Sequence, residues 1–238
     1  MKSLKSLIKT VKKIISFTWY FTWCWACRFF CVLFFQPTSF GLSNLPRKGG
    51  FLLISNHQSF LDPLFNATPI HRQLCYVARN TLFEIPFFGR FVHSFNVIPI
   101  KRGQADLAAM KTFLEKLKNN FGLVLYPEGT RTSDGKIAEI KPGFCLLARR
   151  ANVPVIPAVI DGGFESWPRH RKFYRPYKVY VVYGKPIPPQ TIVEMGDREF
   201  ARHLTRILRG MQTELKLKVG RKPFDYDTAT KTQRHEGE

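Results

Sequence analysis

The stretch "NHQSFLDP" places His57 and Asp62 five positions apart. An imidazole beside a carboxylate is the minimal general base: one ring nitrogen donates to the carboxylate and the other takes a proton from a substrate. The stretch follows the apolar run "FLLIS", so His57 falls at a strand end, where α/β proteins carry reactive groups. Asp62 also precedes Pro63, and Asp then Pro is a helix-start signal, with Asp as N-cap and Pro in the first turn. The two readings are compatible because a carboxylate has two oxygens. One can cap the helix while the other receives the imidazole N–H.

A second candidate is "YPEGTRTSDG", where Glu128, Gly129, Thr130 and Arg131 form a turn. Gly129 tolerates a φ that other residues resist and would expose backbone N–H groups to an anion. Arg131 offers a planar fork of donors suited to phosphate. The plainer reading is a surface turn with a Glu–Arg pair. In "VIPIKRG", Lys101 and Arg102 are either solvated strand-end charges or further parts of the same phosphate site. In "KPGFCLLARRANVPVIPAVI", Lys141 and Gly143 open a helix, and Pro154 and Pro157 mark the next apolar run as an edge or irregular strand flanking an acyl-chain groove.

These residues need elements to hold them. Short apolar runs at 51–55, 74–78, 96–100, 122–126, 153–160 and 178–184 read as strands. Helical segments fall between them, from Pro63 and over 86–93, 104–119 and 142–151, with a further helix over 197–218. The alternation predicts a single α/β domain with a central, mostly parallel sheet covered by helices. That domain is expected over residues 41–220, after turn material at "QPTSFGLSNLPRKGG", with a disordered polar tail over 221–238.

Charge is unevenly placed. The net charge is +20, and residues 1–61 hold eight Lys and Arg but no Asp or Glu. Such a chain is drawn to polyanions: anionic lipid, nucleic acid or a phosphorylated substrate. No zinc-finger spacing, basic heptads or aromatic RNA-binding signature is present, which argues against nucleic acid. Cys24, Cys27 and Cys31 have no nearby histidine and read as small apolar residues of a buried helix face, not a metal cluster.

The first residues, "MKSLKSLIKTVKKII", put Leu4, Leu7, Ile8, Val11, Ile14 and Ile15 on one helical face and Lys2, Lys5, Lys9, Lys12 and Lys13 opposite. This is an interfacial membrane helix, each lysine adding about 1 kcal/mol near anionic lipid. Residues 14–35 are apolar except for Arg28 and a few hydroxyls, and read as a span or as a helix pair dipping into one leaflet. Arg28 in mid-run costs about 2.5–3.5 kcal/mol at a bilayer centre, which favours the dip. The preceding lysines favour a cytoplasmic amino terminus. Residues 1–40 are therefore expected as amphipathic and membrane-embedded helices, at the cytoplasmic face of the inner (plasma) membrane.

Taken in order, these blocks resemble the glycerophospholipid acyltransferase family, and most closely its bacterial 1-acyl-sn-glycerol-3-phosphate acyltransferases. The matches are His57 to Asp62 for the family's His-x4-Asp block, Gly89 through Arg102 for a block ending in a base, Pro127 to Arg131 for Pro-Glu-Gly-Thr-Arg, and Val153 to Pro157 for Val-Pro-Val-Ile-Pro. Two departures are Tyr126, where many members have Phe, and Arg90, where an aromatic is common.

The resemblance implies a glycerol-3-phosphate acyltransferase-like fold and no cofactor or metal. The co-substrate would be an acyl-CoA or acyl carrier protein thioester. His57 would deprotonate the sn-2 hydroxyl of lysophosphatidic acid, with Asp62 orienting it, to give phosphatidic acid. Glu128, Gly129, Thr130, Arg131, Arg102 and Lys101 would bind the glycerophosphate. Two alternatives stand beside this: another lysophospholipid or glycerol-3-phosphate as acceptor, and a non-enzymatic basic membrane-binding protein.

Overall fold

The computed structural model describes residues 2–84, 89, 92, 95–100 and 107–226. The chain opens with one helix, α1 (Lys2–Phe35). No Gly or Pro interrupts residues 1–36, so nothing breaks the hydrogen-bond ladder. At 1.5 Å per residue the 34-residue helix is about 51 Å long. The expected helix pair is therefore a single rod, which ends where Gln36 takes a positive φ and Pro37 follows. No helix among the described residues is long and apolar enough to cross a membrane.

Among the described residues, seven strands form one sheet in the order β1-β7-β6-β2-β5-β3-β4. They are β1 (Thr38–Phe40), β2 (Phe51–Ser55), β3 (Leu74–Arg79), β4 (Val97–Ile100), β5 (Gly122–Leu125), β6 (Val155–Asp161) and β7 (Tyr180–Tyr183). Every pairing is parallel except β6 with β7. The expected mostly parallel α/β sheet is present, with one strand more than the apolar runs indicated. Strand β1 lies inside the expected turn material, where its three residues pair with β7 at the sheet edge. Of the helix expected over 86–93, only Gly89 and Val92 lie among the described residues.

β2 sits at the middle and is buried throughout, as a parallel strand covered on both faces must be. Its side chains alternate between two cores. Leu52 and Ile54 pack with Phe144, Phe200 and Leu204 on one face. Phe51 and Leu53 pack with Cys31, Phe35 and Phe65 on the other. The first face is covered by α3 (Leu107–Lys118), α4 (Gly143–Ala151), α6 (Pro189–Met195) and α7 (Asp197–Lys218). The second lies under α2 (Asp62–Ala67) and the carboxyl end of α1, whose Cys31 and Phe35 are fully buried. Burying a side chain the size of Phe35 contributes about 1.5–3 kcal/mol, so α1 is fused to the domain at that end. A short α5 (Gly163–Ser166) follows β6.

Along its length α1 has two characters. Tyr20, Cys31 and Phe35 face the body and are buried. Val11, Ile15, Trp19, Trp25, Phe29, Val32 and Leu33 lie exposed on the opposite side, a continuous apolar stripe at helical spacing.

Two expectations need correction. Pro154 and Pro157 do not mark an edge: β6 pairs with β2 on one side and β7 on the other. Pro157 is tolerated because its backbone polar groups face the β7 side, where its carbonyl accepts from the Gly184 N–H at 2.8 Å, just beyond the end of β7. The ladder to β2 therefore loses no donor. The polar tail also starts later than residue 221, since 221–226 are packed. Arg221 reaches buried Asp161 at 2.5 Å, and the Tyr226 hydroxyl accepts from the Ile137 N–H at 2.9 Å. The remainder of that expected tail lies outside the described residues.

Candidate active site

β2, β5 and β6 are parallel neighbours, so the loops leaving their carboxyl ends emerge together, the usual place for a site in such a sheet. Asn56 pins the first loop to β6, exchanging two hydrogen bonds with the Ile160 backbone at 2.8 and 3.0 Å. His57 comes next. Its Nδ1 lies 2.7 Å from Oδ2 of Asp62, and its ring stacks on Tyr126 at 4.3 Å between centroids.

Oδ2 of Asp62 also accepts the N–H groups of Gln58 at 2.6 Å and Ser59 at 2.8 Å. All three donors precede α2. The expected helix cap is thus absent: Asp62 is the first residue of the helix and its side chain makes no cap hydrogen bond. The carboxylate reaches backward to organise the loop and the imidazole. An oxygen that accepts from Nδ1–H fixes the tautomer and leaves Nε2 with its lone pair. Among the described residues Nε2 has no hydrogen-bond partner, and the His57 side chain is 22% exposed. Asp62 is fully buried and its Oδ1 has no partner among the described residues. Gly163 closes over that oxygen; a Cβ there would sit 2.9 Å from it.

The second loop is tied to the first by Glu128. Its Oε1 accepts the His57 N–H at 2.7 Å and its Oε2 the Ala138 N–H at 2.9 Å. The His57 carbonyl in turn accepts the Thr132 N–H at 2.8 Å. Glu128 is 7% exposed, and burial pushes its pKa up to about 7 against the pull of the two backbone donors. Both oxygens accept backbone N–H groups, so Glu128 braces the first loop against the second. Gly129 has the anticipated positive φ of 79°, yet its N–H is bound to the Tyr126 carbonyl at 3.1 Å. The N–H groups of Thr130 and Arg131 have no acceptor among the described residues.

Arg131 lies over the Phe60 ring, with its guanidinium carbon 3.4 Å from the centroid. Its Nη1 is buried with no partner among the described residues, and burial, with Arg169 nearby, lowers its pKa. Arg131 is half-buried, and a buried guanidinium N–H without an acceptor is a donor suited to an anion. Lys101 and Arg102 lie outside the described residues.

Sequence reasoning missed several supports. Asn66 donates to Ser55 at 3.1 Å and to the Tyr126 hydroxyl at 3.2 Å, holding the ring on which His57 rests. Gln58 donates to the Gly135 carbonyl at 2.9 Å, and Gln212 of α7 donates to the same oxygen at 3.1 Å. Tyr226 bonds Gln212 in turn, and Phe224 lies against Gly135, whose φ is 87° and whose added Cβ would fall 2.9 Å from that ring. The strap at 221–226 thereby grips the second loop from behind. The adjacency of "NHQ" to His57 hinted at Gln58; nothing local in the sequence hinted at Gln212 or Tyr226.

Residues 37–161, more than half of the chain, match the Acyltransferase family. The chain belongs to that family. Among its acyltransferase relatives is the 1-acyl-sn-glycerol-3-phosphate acyltransferase of Bacillus subtilis, 24% identical over 74% of this chain and 86% of that one. A chloroplastic enzyme of the same name from Brassica napus is 30% identical over 54% of this chain and 38% of its own length. The chain thus spans less than two fifths of the plant protein. The crystal structure of the 1-acyl-sn-glycerophosphate (LPA) acyltransferase PlsC from Thermotoga maritima superposes with a TM-score of 0.65 at 26% identity, covering 76% of this chain and 72% of the other.

Proposed function

We propose that this acyltransferase esterifies the sn-2 hydroxyl of 1-acyl-glycerol-3-phosphate, using an acyl thioester on CoA or acyl carrier protein, and releases phosphatidic acid. The observation that carries the reading is a partly exposed imidazole, held by a buried carboxylate at 2.7 Å, beside an arginine with an unpartnered buried donor. Nε2 of His57 takes the hydroxyl proton as the oxygen attacks the thioester carbonyl. The tetrahedral intermediate collapses with loss of the thiolate, and His57 returns the proton to sulfur. Asp62 holds the imidazolium in place throughout. Arg131 and the N–H groups of Thr130 and Arg131 receive the acceptor phosphate, in keeping with the substrate that the relatives' names carry.

The exposed stripe of α1 and the lysines at its start suit an interface with anionic lipid. The site would then work at the cytoplasmic face of the inner membrane, with α1 lying in the surface rather than crossing it.

Purified protein given a long-chain acyl-CoA and lysophosphatidic acid is expected to form phosphatidic acid, read by product mass. His57→Ala should cut turnover by about 10²–10⁴ while leaving the circular dichroism unchanged. Near-normal turnover in that folded variant would remove His57 from the mechanism.

A further inference from the structure

Between α5 and β7 the chain makes a closed turn. Arg175 N–H bonds the Ser166 carbonyl at 2.8 Å, Arg171 N–H the Pro168 carbonyl at 3.2 Å, and Trp167 Nε1 the Arg171 carbonyl at 3.2 Å. Neighbouring aromatics in this turn point in opposite directions. Tyr174 packs against Phe30 and Phe34 of α1, with ring centroids 5.6 and 5.7 Å away. Phe173 is 73% exposed. Around it stand Arg169, Arg171, Lys172 and Arg175, all exposed, and no acid occurs between Glu165 and Glu194. None of these four cations forms an ion pair among the described residues.

An ordered turn that holds a large apolar side chain in water, ringed by one sign of charge, has the chemistry of an interfacial anchor. Acidic proteins would satisfy the cations but leave the Phe173 ring wet. A bilayer satisfies both, since acyl chains take the ring and anionic headgroups the cations. The turn also flanks the part of α1 whose outer side exposes Phe29, Val32 and Leu33.

We propose that the turn at 168–175 is a second membrane contact beside α1, inserting Phe173 into a bilayer containing anionic lipid. This rests on the reading that the protein works at a membrane. Because Trp167 joins the turn to Phe60, at 5.0 Å, and Phe60 lies under Arg131, the contact brings the headgroup layer next to the phosphate-binding residues.

The test uses the full chain with vesicles of phosphatidylcholine alone or mixed with phosphatidylglycerol, scored by co-sedimentation. Phe173→Ser is expected to weaken binding to the mixed vesicles about tenfold. Arg171→Gln with Lys172→Gln should weaken it by about 10–30-fold and flatten its salt dependence. Turnover of a short-chain, water-soluble acceptor should be unchanged in both. Vesicle binding equal to wild type in either variant overturns the proposal. So does a raised KM for carrier-protein donor with vesicle binding intact, which would make the turn a protein-docking site. Binding is read without catalysis. Absent turnover in the wild type would therefore count against the proposed reaction and not against this contact.

Discussion

Two buried aspartates lie near the carboxyl ends of adjacent strands, and they are equipped in opposite ways. Asp161, at the end of β6, faces Lys216 Nζ at 2.8 Å and Arg221 at 2.5 Å, all three side chains being largely buried. Its charge is met by full cations, and nothing in the cluster faces solvent with a lone pair. Asp62, just beyond β2, meets two backbone N–H groups and one imidazole. The first arrangement holds the fold together: Asp161 joins β6 to α7 and, through Arg221, to the strap. The second leaves one atom, Nε2 of His57, to gain and lose a proton. Burial alone does not tell the two carboxylates apart; the donor set does.

The largest effect that sharpens this contrast is expected from Asp62→Asn. It removes the charge and, with the amide oxygen kept by the backbone N–H groups, turns an NH2 donor toward Nδ1 that favours the wrong tautomer. Turnover should therefore fall by about 10³–10⁴ with near-normal melting, checked by kinetics beside calorimetry. Asp161→Asn should do the reverse. Two buried cations lose their counter-charge, so stability should drop by about 3–5 kcal/mol in urea titration, while turnover of the folded fraction stays within about threefold. An Asp161→Asn variant that is instead inactive and stable would place Asp161 in the catalytic apparatus.

Glu128 stands between the two cases. Its folded pKa, about 7, lies above the ordinary value of 4.5, so the folded state holds the proton more tightly than the unfolded one. Its contribution to stability is then present below pH 4.5 and lost as pH rises to 7, by on the order of 3 kcal/mol. Glu128→Gln should remove that part of the pH dependence, seen as a flatter melting-temperature profile between pH 4.5 and 7.

The smallest effect is expected from Tyr226→Phe, which deletes the hydroxyl joining Gln212 to the Ile137 N–H. A loss of about 1–2 kcal/mol should accompany a threefold to tenfold lower kcat. The KM for the acceptor should shift less than kcat, because Tyr226 bonds Ile137 and Gln212 and touches neither Thr130 nor Arg131 directly. An unaltered kcat would show that the strap is structural only.

Much of this was legible because it is local. His57 and Asp62 are close in sequence, and strands such as β2 announce themselves by composition. What escaped was carried by long-range backbone bonds. Spacing shows that Glu128 begins a turn, but not that its oxygens receive N–H groups from His57 and Ala138. Proline suggested an edge for β6 because composition cannot say which side of a strand its missing donor faces. The strap at 221–226 reads as solvent-exposed polymer because its partners Asp161, Ile137 and Gly135 lie 60 or more residues back along the chain.

Both backbone polar groups of His57 are bonded to the neighbouring loop, its N–H to Glu128 and its carbonyl to the Thr132 N–H. With the acceptor phosphate received by that loop as proposed, recognition of the headgroup and placement of the base would be energetically linked rather than separate functions. An acceptor that lacks the phosphate would forgo more than affinity. It would leave the loop that aligns the imidazole without its ligand, and discrimination between acceptors would show in the rate of the chemical step.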